Sequence, residues 1–138
     1  MTVHDPAKIG HFARHRFSSA SMSDTKWRKL IAAVQSAAHN TSQMKVKFID
    51  VETPHVMQFP PDLDCPYAYM DTIEFGPVEL RAIEWLEFPR TAKFQRSNNV
   101  PARLKEQDID KAAEAIAALG QYPLEVTPEA LRITGYRA

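Results

Sequence analysis

The feature that most constrains this chain is one apolar stripe: Trp27, Leu30, Ile31, Val34, Ala37 and Ala38 recur at i, i+3, i+4, i+7, i+10 and i+11. That spacing is a single face of a 3.6-residue period, so the segment from Asp24 onward is expected to be a helix laid on an apolar surface. Ser23 or Asp24 is placed to accept a free amide of the first turn. Lys26, Arg28, Lys29 and Gln35 fall on the outward side, and Asn40 is the expected stop because it tolerates the left-handed conformation. A second stripe, Ile109, Ala112, Ala113, Ile116 and Ala117, predicts another helix closed at Gly120.

What these helices cover is read from alternation. Met44, Val46 and Phe48 alternate with Lys45 and Lys47, the pattern of a strand with one wet face, running to about Val51. Residues 67–75 and 78–88 flank Gly76-Pro77, are rich in β-branched and aromatic residues, and are expected to form an antiparallel pair. The second is the candidate central strand, with Leu80, Ala82, Leu86 and Phe88 on one face and Ile83 and Trp85 on the other. Residues 124–126 and 131–133 flank Thr127-Pro128-Glu129-Ala130 as a C-terminal hairpin ending at Tyr136. Pro54, Pro60, Pro61 and Pro66 each remove a ladder donor, so residues 53–66 are expected to be an irregular loop. The stretch from Pro89 to Pro101 is expected to be a polar connection. Together these segments predict an α+β fold: an antiparallel or mixed sheet of about five strands with two main helices on one face, both tryptophans serving as filler.

A chain of 138 residues supports one core and not two. Residues 1–21 are basic and poor in packing residues and are expected to be a flexible extension, with residues 22–138 forming the domain. Lys plus Arg equals Asp plus Glu at 17 each, so no overall field gathers nucleic acid or an anionic membrane. A single cysteine, Cys65, excludes an intramolecular disulfide and a cysteine-rich zinc site, which favours a cytoplasmic setting. No apolar run approaches the ~18 residues of a membrane span. No phosphate-cradling glycine motif is present, and no cofactor is expected.

Thr25-Lys26-Trp27-Arg28, Ile83-Glu84-Trp85 and Arg132-Ile133-Thr134-Gly135-Tyr136 together resemble the motifs of an uncharacterised bacterial family of short proteins. Its members have a Thr-Lys-Trp helix start and a Gly-Tyr C-terminal strand. The resemblance covers about residues 22–137 and implies no activity, cofactor or partner.

Several constellations are candidates for chemistry. His11 and His15 lie at helical spacing with His4 nearby, although a histidine-bearing leader is the plainer reading. Asp62, Asp64, Cys65 and His55 bring oxygen, sulfur and nitrogen donors to the proline-rich loop. Glu74, Glu79, Glu84 and Glu87 decorate the central strands; of these, Glu84 is expected to be partly buried and to need a partner such as Arg81, Arg132 or a tyrosine hydroxyl. Arg90, Lys93, Arg96 and Arg103, with Lys105 and Phe94, form a basic patch suited to phosphate or a nucleic-acid backbone. The leading expectation is a small non-catalytic binding or interaction domain, of an accessory or toxin-neutralising type. It would use the open sheet face or the proline-rich loop and meet a protein partner or a second copy through the sheet. Glu84, Trp85, Asp71, Tyr136 and His55 are its candidate ligand-binding residues. One alternative is an enzyme with an acid/base site near Glu84, Asp71 and His55. A second is phosphate or nucleic-acid binding through residues 90–105, disfavoured by zero net charge.

Overall fold

The computed structural model describes residues 19–38, 40–63, 65–95 and 100–137. In chain order the elements are β1 (Ser19–Ala20), α1 (Asp24–Ala37), β2 (Gln43–Phe48), β3 (His55–Gln58), β4 (Tyr69–Thr72) and β5 (Gly76–Glu79). A 3₁₀ turn, Leu80–Ala82, leads into β6 (Ile83–Pro89), followed by β7 (Thr91–Phe94), β8 (Arg103–Glu106), α2 (Ile109–Ala117), β9 (Leu124–Val126), β10 (Ala130–Thr134) and β11 (Tyr136–Arg137). The result is an α+β fold built on a five-stranded antiparallel sheet in the order β3-β2-β6-β10-β9, with β6 central.

Both helices follow from their stripes. Ser23 caps α1 by accepting the amide of Lys26, and Asp108 caps α2 by accepting that of Lys111. Trp27, Leu30, Ile31 and Val34 from α1, and Ile109, Ala112 and Ile116 from α2, are buried with Met44, Val46, Phe48, Leu86, Phe88, Leu131 and Ile133 of the sheet. Gly135 is fixed by this packing, since a Cβ there would lie 2.7 Å from the Ile83 carbonyl oxygen and 3.2 Å from Trp27 Cζ2. Beyond Gly135 the chain continues as β11, which pairs with β1, so residues 19 and 20 are tied to the C-terminal strand.

Four expectations are corrected. The first helix ends at Ala37 rather than Asn40; Asn40 instead donates to the Glu106 carbonyl and accepts from the Asp108 amide. Residues 53–66 are not wholly irregular, because Pro54 and Pro60 stand outside β3 and leave its four residues free to pair with β2. The segment after Pro89 is no solvated linker: β7 and β8 form an antiparallel ribbon. The expected pair of long strands is divided, with β4 and β5 making a separate ribbon that turns at Gly76, φ +68°, and the 3₁₀ turn separating β5 from β6.

That turn also resets the phase of β6. Lys47 stands opposite Trp85 but Phe48 stands opposite Ile83, so Glu84 occupies an extra position in the strand. Ile83 therefore joins the buried face with Leu86 and Phe88, while Trp85 keeps the opposite, wet face. Only Trp27 is core filler; Trp85 stays partly exposed beneath the Arg132 guanidinium, 3.9 Å from its ring.

Candidate functional site

The open face of the sheet carries an ordered row of residues. Val56, Lys45, Glu87, Arg132 and Glu125 are mutually opposite across β3, β2, β6, β10 and β9, which alternates charge along four strands. Arg132 donates to Glu87 at 2.9 Å, and Lys47 meets Glu84 at 3.2 Å. The partner of Glu84 is thus Lys47 and not Arg81, Arg132 or a tyrosine.

The remaining candidates are dispersed. His55, opposite Val46, packs its ring 5.1 Å from Phe75 and 6.5 Å from Phe48. Asp71 lies exposed on β4 opposite Pro77. Among the described residues no hydrogen bond or ion pair joins any two of Glu84, Asp71 and His55. Tyr136 donates to the Arg81 carbonyl at 2.7 Å. Burial raises its hydroxyl above the usual tyrosine range, with Arg81 lowering it and Asp24 raising it. Burial likewise raises the Asp24 carboxyl, against the pull of Arg81 and with the push of Glu79.

The basic patch is divided by the ribbon. Arg90 grips Asp110 through both terminal nitrogens, at 3.0 and 3.2 Å, and donates to the Pro128 carbonyl. Lys93 pairs with Leu104 while Arg103 and Lys105 point with Phe94 and Ala92 to the other side of the ribbon. Arg96, like Asp64, His4, His11 and His15, lies outside the described residues. Among the described residues no group of three or more His, Cys, Asp or Glu is arranged to hold a metal ion.

What is built in detail is the corner where α1, the proline-rich loop and β3 meet. Arg28, expected on the solvent side of its helix, instead donates to the carbonyls of Leu63 at 3.0 Å and of Pro66, Tyr67 and Tyr69 at 3.2–3.5 Å. Its guanidinium lies 5.1 Å from the Tyr67 ring, and Thr25 hydrogen-bonds the Tyr67 hydroxyl. One turn pair further along, Gln35 donates to the Pro60 carbonyl at 2.8 Å. The polar side of α1 therefore holds the loop by its backbone, and two hollows remain on either side of β3. The larger, about 380 Å³, lies on the helix side between Gln35, Ser42, Phe59, Pro60, Pro61 and Ile73. The second, about 230 Å³, lies on the open face between Gln43, Val56, Glu74, Lys93, Phe94 and Gln95. Gln58 lines both.

The register shows which backbone groups face these hollows. Phe59 donates to the Ser42 carbonyl directly opposite, so the pairs 57/44 and 55/46 are also hydrogen-bonded ones. Val56 and Gln58 then aim their amides and carbonyls away from β2, and the Gln58 amide is met there by the Glu74 carboxylate at 3.1 Å. No described strand lies beyond β3. Exposed apolar groups flank this edge: Val56 at 58% and Ile73 at 74% of full exposure.

A family model described as a family of unknown function, DUF6678, matches residues 10–138. The chain belongs to the DUF6678 family. The family match begins upstream of β1 and takes in all the elements above. It brings no activity with it, and comparison with curated proteins and with solved structures gives no match. No helix among the described residues is long and apolar enough to cross a membrane.

Proposed function

We propose that this DUF6678 domain is a non-catalytic binding module that recognises an extended polypeptide segment by strand addition along β3. The observation that carries it is the outer edge of β3, which no described strand pairs, flanked on its two sides by hollows that share Gln58. A strand added to that edge satisfies the outward groups of Val56 and sends alternate side chains to opposite faces, one toward each hollow. Glu74 holds the Gln58 amide in the free protein, which blunts the edge against indiscriminate pairing and must be displaced when the segment arrives. The prolines stiffen the walls of the larger hollow, so little ordering is needed on binding. A single cysteine and the motif resemblance favour a bacterial cytoplasm as its setting.

Selection from a displayed random dodecapeptide library tests the proposal. Peptides should be enriched on the wild-type protein and lost on Val56→Pro, because proline removes an outward donor while leaving the β2 ladder intact. Absence of enrichment, or enriched peptides indifferent to Val56→Pro, contradicts strand addition. A wild-type dimer dispersed by Val56→Pro also contradicts it, because the edge would then serve a second copy.

A further inference from the structure

The charged row across the open face has a symmetry of its own. Lys45 on β2, Glu87 on β6, Arg132 on β10 and Glu125 on β9 stand mutually opposite, so the charges read plus, minus, plus, minus along four neighbouring strands. The inner two are satisfied within the chain, Arg132 donating to Glu87 at 2.9 Å. The outer two are not: among the described residues neither Lys45 nor Glu125 has an ion-pair partner. At the ~4.8 Å spacing of strands they lie about 14 Å apart, too far to meet within one chain. Both helices pack on the opposite face, and β7 bounds the open face at Gln43, whose side chain bonds the amide and carbonyl of Lys93. Two residues along β6 from Glu87, the partly exposed Trp85 stands opposite Thr134 on the same open face.

A two-fold axis running along the strands between β6 and β10 turns this row onto its own complement. Under it Lys45 of each copy faces Glu125 of the other, and Glu87 faces Arg132. A two-fold across the strands would instead set like charge on like. The same axis brings Trp85 of each copy against Thr134 of the other, which places two large rings at the centre with charge pairs around them. Aligned sheets pack at roughly 30° to one another, which shifts the ends of the row, about 7 Å from the axis, by about 4 Å, within the reach of a lysine. We infer that the open face docks a second copy of this chain, giving a two-fold dimer with Lys45 and Glu125 paired between copies around the two Trp85 rings. β3 lies beyond β2 on the side away from the axis, so it falls outside the overlap. The dimer is therefore independent of strand addition, and each copy keeps its edge.

Sedimentation of the full chain at low and high salt, with charge reversals at the two ends of the row, is the test. Wild type should dimerise at low ionic strength and dissociate as salt is added. Lys45→Glu and Glu125→Lys should each weaken the dimer roughly tenfold or more, because each sets like charges together twice. Mixed in equal amounts, the two variants should pair with each other, since every end-of-row contact in the mixed dimer again joins opposite charges. Val56→Pro should leave the dimer intact. A wild-type monomer at millimolar concentration overturns the inference, as does a dimer indifferent to both reversals or a mixture that fails to pair. A dimer dispersed by Val56→Pro overturns it together with strand addition. Should a reversal variant not fold, concentration-dependent amide shifts of the wild type decide: shifts centred on Trp85, Glu87 and Arg132 support the open-face dimer, and shifts centred elsewhere or absent overturn it.

Discussion

The interior beneath the helices and the corner beside β3 are held together by opposite means. In the interior, Trp27, Leu30, Ile31 and Val34 meet Met44, Val46, Phe48 and Leu86 with almost no exposed area, and polar atoms play little part. At the corner, carbonyls of the proline-rich loop hang on Arg28 and Gln35, and space remains between the elements. Stability resides in the interior and recognition at the corner. Burial is non-directional and fills its own volume, whereas hydrogen bonds from a helix to a loop fix the backbone at a distance and leave hollows with defined walls.

The largest effect is expected at Trp27. Trp27→Ala empties the centre of the closed region and should destabilise the fold by about 3–5 kcal/mol in denaturant unfolding. A loss near zero would mean that the indole is not core filler. Arg28→Ala should cost less, about 1–3 kcal/mol, because its carbonyl partners regain water at the exposed side. Its distinctive effect should be faster amide exchange confined to residues 59–69. Arg28→Lys should fail to restore protection, since a point charge cannot span the several carbonyls that the planar fork reaches.

Smaller effects are expected on the wet side. Trp85→Ala should cost less than Trp27→Ala by at least about 2 kcal/mol, since the ring is only partly buried and its stacking with Arg132 is screened. Equal losses would contradict the assignment of Trp85 to the open face. Least of all, Asp24→Asn should alter only the pH dependence of stability. Burial raises the folded Asp24 carboxyl above its ordinary value of 3.8, so wild type is relieved as pH falls through the raised value, and the asparagine variant should lack that acid-side gain. An identical pH profile for both proteins would show that the carboxyl is not perturbed.

The closed region was readable from sequence because burial writes periodicity: both helical stripes, the Met44-Val46-Phe48 alternation and the C-terminal hairpin all reappear in the structure. The phase of β6 was not readable. Its bulge at Glu84 arises from pairing with β2, a non-local event, and the extra residue puts Ile83 on the buried face with Leu86, while Trp85 keeps the opposite face. The corner was half readable. The prolines marked a long stiff loop, but they concealed β3, whose four residues carry no strong alternation. Arg28 looked like any solvated cation on a helix, and only the folded loop supplies the carbonyls that give it a role. The basic patch misled for the reverse reason: Asp110, distant in sequence, closes on Arg90.

Residue-resolved hydrogen exchange in the free protein reads directly whether the outer edge of β3, which no described strand pairs, stands open between the two hollows. The Val56 amide should exchange fast and those of Met57 and Phe59 slowly, with Gln58 between them through its bond to Glu74. Equal protection of Val56 and Met57 would mean that the edge is already occupied, and the strand-addition account would fail.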